Sequence, residues 1–115
     1  MDDTVATLRA LADPVRWKVL SFLRESGPST CSQGDEGVCA CDLENVLGVS
    51  QPTVSHHMKQ LVEVGLVRAM RRGRWVFYEI DADGFAALQA EIGRFAQAPN
   101  AQREGALGRA TSPAA

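Results

Sequence analysis

Two short apolar stripes joined by a three- to four-residue turn, with a basic β-prone segment directly behind them, constrain this chain most. Leu43, Val46 and Leu47 recur at helical spacing, and Gly48 provides a stop. Val49-Ser50 makes the turn, Ser50 is placed to cap the next helix, and Pro52 is tolerated in its first turn. Val54, Met58, Leu61 and Val62 then form the second stripe, closed by Gly65. Two helices so joined are the helix-turn-helix pattern. The following stretch, VRAMRRGRWVFYEI, holds two β-prone runs around Arg72-Gly73 and reads as a hairpin. Of its aromatics Trp75, Phe77 and Tyr78, at least two are expected to cover the inner face of the hairpin.

The flanks complete the pattern. Val5, Leu8 and Leu11 predict a first helix over about 4–11. Asp13-Pro14 is a cap followed by proline at the first helical position, and Val15, Val19, Phe22 and Leu23 give a second helix ending near Ser26-Gly27-Pro28. Residues 27–38 are rich in Gly, Ser and acids and are expected to form a long loop. Asp42 is the candidate cap of the helix after it. Asp81 or Asp83 caps a final helix with Phe85, Leu88, Ile92 and Phe95 on one face. The expected fold is mainly α with a small β-hairpin: a winged helix-turn-helix over residues 1–96, flanked by N- and C-terminal helices. In a chain of 115 residues the apolar stripes of those helices are expected to pack against a second copy. Residues 97–115 lack periodicity and are expected to be a disordered tail. No run of about 18 apolar residues is present and the start is acidic rather than basic, so the expectation is a cytoplasmic protein with no membrane partner.

The net charge of −2 hides an asymmetry. Residues 1–49 carry four Lys/Arg against eight Asp/Glu, whereas residues 50–80 carry five against two. Basic charge is thus concentrated on the second helix of the pair and on the hairpin, where Arg71, Arg72 and Arg74 sit nearly together. The side of that helix away from its stripe offers Gln51, Thr53, Ser55, His56, His57 and Lys59, with Ser50 at its start. These groups suit base edges and phosphates of double-stranded DNA, and the hairpin arginines suit phosphates or a minor groove. A solvated polar stripe is the competing reading, and for His56 and His57 a surface or core-edge role competes equally with DNA contact.

Three cysteines lie within eleven positions: Cys31, Cys39 and Cys41. An odd cluster of this kind is not a disulfide framework in a reducing compartment. A helix N-terminus favours thiolate, and thiolates bind soft cations. Positions i and i+2 do not face each other on a regular helix. One ion is therefore expected to hold Cys39 and Cys41 only by deforming the helix that starts near Cys41. Three thiolates suit a trivalent ion with a lone pair, arsenite or antimonite. Zinc prefers four ligands and CxxC spacing, so a zinc set would need His56 or His57. A thiol redox sensor is a further alternative, and ordinary core packing another. No nucleophile with base and orienting acid, no phosphate loop and no CxxC is present, so neither an enzyme nor an organic cofactor is expected.

The stretches CACDLENVLGVSQPTVSHHMKQLVEVGLV and RRGRWVFYEI resemble the ArsR/SmtB family of metal-responsive repressors. The resemblance covers about residues 4–95. It implies a homodimer, formed through the first and last helices, that represses resistance operons and leaves its operator when As(III) or Sb(III) binds. The CxCD element of the arsenite, antimonite, cadmium and lead sensors maps to Cys39 and Cys41. Several arsenic sensors carry a third cysteine three residues later. Here Glu44 stands there, which leaves Cys31 as the third ligand by count. Cadmium and lead sensors add N-terminal cysteines, absent here, and zinc, cobalt and nickel sensors use a His and acid set on a last helix, whereas 81–95 holds no His.

Overall fold

Local start and stop signals place most of the elements in the computed structural model, which describes residues 2–25 and 37–102. Helix α1 spans Asp2–Leu11 and α2 spans Pro14–Glu25. Asp13 caps α2: its Oδ2 accepts the backbone N–H of Val15 at 3.1 Å and of Arg16 at 3.0 Å. Helix α3 spans Ala40–Leu47 and ends on Gly48, whose φ of +68° suits a residue without Cβ. Helix α4 spans Gln51–Glu63, with Ser50 at its N-cap in extended conformation. Strands β2 (Val67–Arg72) and β3 (Trp75–Ile80) form the hairpin, and α5 spans Ala82–Gly93. Asp81 rather than Asp83 caps α5, accepting from the N–H groups of Asp83 and Gly84.

The stripes read from periodicity largely become the core. Val19, Leu43, Val54, Met58 and Leu61 are fully buried, and Leu66, Val67 and Tyr78 join them from the hairpin side. Val62 instead stays at the surface. Of the hairpin aromatics, Phe77 and Tyr78 are buried while Trp75 is exposed. As neighbours on one strand Phe77 and Tyr78 face opposite sides of the sheet and only Tyr78 joins the main core cluster, so the expectation that two aromatics cover one inner face is corrected. The outer helices behave differently. Thr7 and Ala10 are the buried positions of α1, whereas Val5 and Leu8 are exposed. On α5 no residue is fully buried, and Ile92 and Phe95 beyond it lie open.

Three expectations are corrected. A strand β1, Val38–Cys39, precedes α3 and pairs antiparallel with β3, so the sheet has three strands in the order β1-β3-β2. Its register sets Val38 opposite Tyr78 and Cys39 opposite Phe77. Helix α3 consequently begins one residue after Cys39, which is its N-cap, and Asp42 lies inside the first turn. Beyond α5, a 3-10 turn at Arg94–Gln97 and a short helix α6 at Pro99–Gln102 carry regular structure past residue 96, while the rest of the expected tail, 103–115, lies outside the described residues. Pro99 opens α6 with the φ a first helical turn needs.

The start of α5 is locked to the start of β2. The Asp81 N–H donates to Leu66 O at 2.9 Å. A Cβ on Gly84 would fall 1.8 Å from the Gly65 carbonyl oxygen, a backbone atom with no room to retreat. Gly84→Ala is therefore expected to destabilise the protein by about 3 kcal/mol, the upper part of the overpacking range. Thermal unfolding followed by circular dichroism checks this, and an unchanged midpoint would refute the close approach.

Candidate functional site

Helix α4 divides cleanly into an inner and an outer side. Val54, Met58 and Leu61 anchor it in the core. Gln51, Ser55 and Lys59, spaced by four, are exposed along the opposite side, and His56 is exposed beside them. Thr53 is half-buried, its Oγ1 lying 3.2 Å from Ser50 Oγ. Ser50 makes no side-chain hydrogen bond to the helix backbone, so its hydroxyl remains at the surface.

His57 is placed otherwise. Its side chain keeps only 15% exposure and is turned toward α2. Arg16 Nη1 donates to His57 Nδ1 at 3.0 Å, and Asp13 Oδ2 stands 3.8 Å from the same nitrogen. Burial, then the Arg16 and His56 charges, hold the His57 pKa below its ordinary value against the opposing pull of Asp13. The signal was faint but present. His57 stands three residues after Val54 and four before Leu61, on the flank of the buried stripe. Its partner 41 residues earlier in the chain left no trace in the spacing.

The hairpin tip presents Arg71, Arg72, Gly73 and Arg74, all exposed. The Arg74 guanidinium lies 5.5 Å from the Trp75 ring centroid, a cation–π distance that steadies the tip. Nearer the sheet's base, Arg68 pairs with its cross-strand partner Glu79. The tip arginines thus project beyond a pinned two-stranded ribbon next to α4, which packs on β2.

The cysteine pair occupies the junction of β1 and α3. Cys39 is in extended backbone (φ −72°, ψ 149°), outside the helix, and is 1% exposed. Its Sγ accepts the Cys41 N–H at 3.4 Å, and the two sulfurs are 3.0 Å apart. Cys39 is a free thiol whereas Cys41 is disulfide-bonded, which corrects the expectation of three reduced cysteines; the expectation that helix geometry separates the two sulfurs is corrected as well. Strand β1 ends on Cys39, so the chain turns between the two residues and brings both sulfurs to one point with no distortion of α3. Cys39 also stands directly opposite Phe77, which places the two side chains on one face of the sheet. Both are buried outside the main core cluster. Cys31 lies outside the described residues. Among the described residues no group of three or more His, Cys, Asp or Glu side chains gathers at one point. No described helix is long and apolar enough to cross a membrane.

Comparison with known proteins agrees with this architecture. The family described as bacterial regulatory protein, arsR family, matches residues 35–69, which run from β1 through α3 and α4 into β2. An HTH-type transcriptional regulator of Methanocaldococcus jannaschii is 36% identical over 75 residues, covering 65% of this chain and 74% of that protein. An arsenical resistance operon repressor of Staphylococcus xylosus is 38% identical over 74 residues, 64% of this chain and 62% of that protein. A cadmium resistance transcriptional regulatory protein CadC homolog of Staphylococcus aureus is 29% identical, with 69% and 58% covered. The chain thus spans less than two thirds of the length of the two resistance regulators. In fold it is similar to the homodimeric winged helix-turn-helix DNA-binding domain of Mycobacterium bovis Mb0332, with a TM-score of 0.60 at 24% identity, covering 84% and 80%. The fold is a winged helix-turn-helix, α4 is its second helix and the β2–β3 hairpin its wing. The chain belongs to the arsR family of bacterial regulatory proteins, DNA-binding regulators rather than enzymes.

Proposed function

We propose that this protein is a cytoplasmic, homodimeric repressor that binds a partly palindromic operator and releases it when trivalent arsenic or antimony is captured by Cys39, Cys41 and Cys31. The observation that carries the reading is the 3.0 Å approach of the Cys39 and Cys41 sulfurs at the start of α3. Once a thiol reductant has opened the disulfide at Cys41, two soft donors held together are the larger part of a site for a soft, lone-pair ion. With arsenous acid, three thiols give up their protons and the three hydroxyls on arsenic leave as water.

Operator contact is assigned to Ser50, Gln51, Thr53, Ser55, His56 and Lys59 of the α4 region and to Arg71, Arg72 and Arg74 of the wing. His57 acts behind that face. Dimer contact is assigned to the exposed Val5 and Leu8 of α1, to Ile92 near the end of α5, which packs against α1, and to Phe95 in the 3-10 turn beyond it.

The location of the thiols supplies a route to release. Cys39 is in register with Phe77, and β3 begins two residues earlier at the base of the wing tip. Cys41 is in the first turn of α3, which packs on α4. Drawing Cys31 onto the pair shifts the β1–α3 junction and so disturbs both DNA-contacting elements. A typical coupling of about 1–3 kcal/mol weakens operator binding roughly 5–150-fold, and the operator weakens ion binding by the same factor.

Cadmium is the second reading, favoured by the similarity to the cadmium resistance regulator. Fluorescence anisotropy of reduced protein on operator DNA, titrated with arsenite, antimonite, cadmium and zinc, separates the two. Release by arsenite or antimonite, lost in Cys31→Ser, is the expected result. Release by cadmium or zinc alone would overturn the metalloid assignment, and release by peroxide alone would turn the pair into a redox sensor.

A further inference from the structure

The Asp13–Arg16–His57 cluster joins three elements that the operator-binding reading keeps separate. Arg16 Nε donates to the Ala10 carbonyl oxygen at 2.6 Å, near the end of α1. Asp13 Oδ2 accepts the Arg16 backbone N–H, which fixes the root of the side chain at the first turn of α2. The far end of the same guanidinium reaches His57 on α4 at 3.0 Å. One planar group therefore spans from the C-terminus of α1 to the inner flank of the recognition helix. We propose that Arg16 and His57 are positioning residues that set the tilt of α4 against the α1–α2 corner, with His57 acting as a neutral hydrogen-bond acceptor. The proposal rests on the operator-binding reading, because the tilt matters for DNA.

The chemistry fixes the protonation state the clamp needs. A guanidinium only donates, so His57 Nδ1 must accept, and the ring proton sits on Nε2. A proton on Nδ1 converts the contact into donor against donor, with two cations 3.0 Å apart. Asp13 does not offer an equivalent partner, because its Oδ2 already caps α2 through two backbone N–H groups and stands 3.8 Å away. The remaining charged neighbour is His56, whose ring centroid is 5.5 Å from that of His57. The lowered His57 pKa has a direct sign for stability. The unfolded chain takes up this proton at a higher pH than the folded one does. Stability from the clamp is thus complete above the unfolded value near 6.5 and is lost as pH falls from there through the lower folded value.

The clamp is tested by operator affinity between pH 5 and 8.5, on a duplex selected from a random pool by the unmodified chain. Every variant is made in a His56→Gln background whose own affinity is the reference, so that loss of the His56 contact is common to all and its titration is removed. Affinity is expected to fall roughly tenfold on acidification, about the loss of one hydrogen bond to a charged group. His57→Asn supplies an acceptor near the Nδ1 position that never protonates, so its profile should be flat. His57→Ala should bind weakly throughout. An asparagine variant that follows the parent profile, or fails where alanine fails, would overturn the proposal. A DNA-free readout stands beside this. Nitrogen NMR of the His57 ring is expected to show the Nε2–H tautomer, and Arg16→Gln should raise the His57 titration midpoint. An Nδ1–H tautomer sinks the clamp even with operator binding intact. A correct tautomer in a chain that binds no duplex from the pool sinks the operator reading, and the clamp's role with it.

Discussion

Serine in place of Cys39 or Cys41 should leave a protein that holds its operator and no longer lets go. Sulfur to oxygen is a small change in volume, and a hydroxyl at Cys39 still accepts the Cys41 N–H in the way serine caps helices. Folding and DNA affinity are therefore expected to stay within about twofold, a few tenths of a kcal/mol. Release by arsenite is expected to collapse from the roughly 5–150-fold weakening of a coupled site to no change. A hydroxyl is a hard, largely protonated donor and does not replace a thiolate on a soft ion. Anisotropy on operator DNA with increasing arsenite reads both quantities at once. If Cys39→Ser responds like the wild type, the paired-sulfur site is not the sensor. Cys39 sits in β1 and Cys41 in α3, so a difference between the two variants would show which junction carries the signal.

Removing the wing arginines should weaken operator binding in a way that salt reveals. Arg71, Arg72 and Arg74 are exposed at the hairpin tip and together supply most of the basic charge of residues 50–80. Deleting one cation that neutralises a phosphate reduces the dependence of log affinity on log salt by about 0.9. The triple alanine variant is thus expected to lower that slope by roughly 3 per subunit, with affinity at low salt falling by about two orders of magnitude. Sequence preference should change less, because phosphate contacts position the protein while base contact is assigned, in the proposed function, to groups such as Gln51 on α4. Arg74 contributes additionally by covering the Trp75 ring, so Arg74→Lys should retain charge and part of the tip's rigidity. An unchanged salt slope in the triple variant would remove the wing from the DNA interface.

Val5, Leu8, Ile92 and Phe95 illustrate how far periodicity reaches. Their stripes were visible in the sequence, yet in one subunit they are the exposed part of the outer helices. Apolar spacing identifies a face to be covered without saying by what. The contrast with Leu43, Met58 and Leu61 is physical: those positions lie on helices crossed by other elements of the same chain.

Local signals in the chain specify α3, α4 and the hairpin, together with the exposed polar side of α4 and the arginine tip. Helical period, strand alternation and stop residues such as Gly48 act within a few residues, so they are written locally. Tertiary structure alone decided that Val38–Cys39 forms a strand, that Cys39 caps α3 with its sulfur against that of Cys41, and that His57 faces Arg16. Each depends on a partner distant in sequence: β3 for Cys39, and the α1–α2 corner for His57. A two-residue strand has too little pattern to announce itself. A histidine on the edge of an apolar stripe takes its role from whichever side chain folding brings to it.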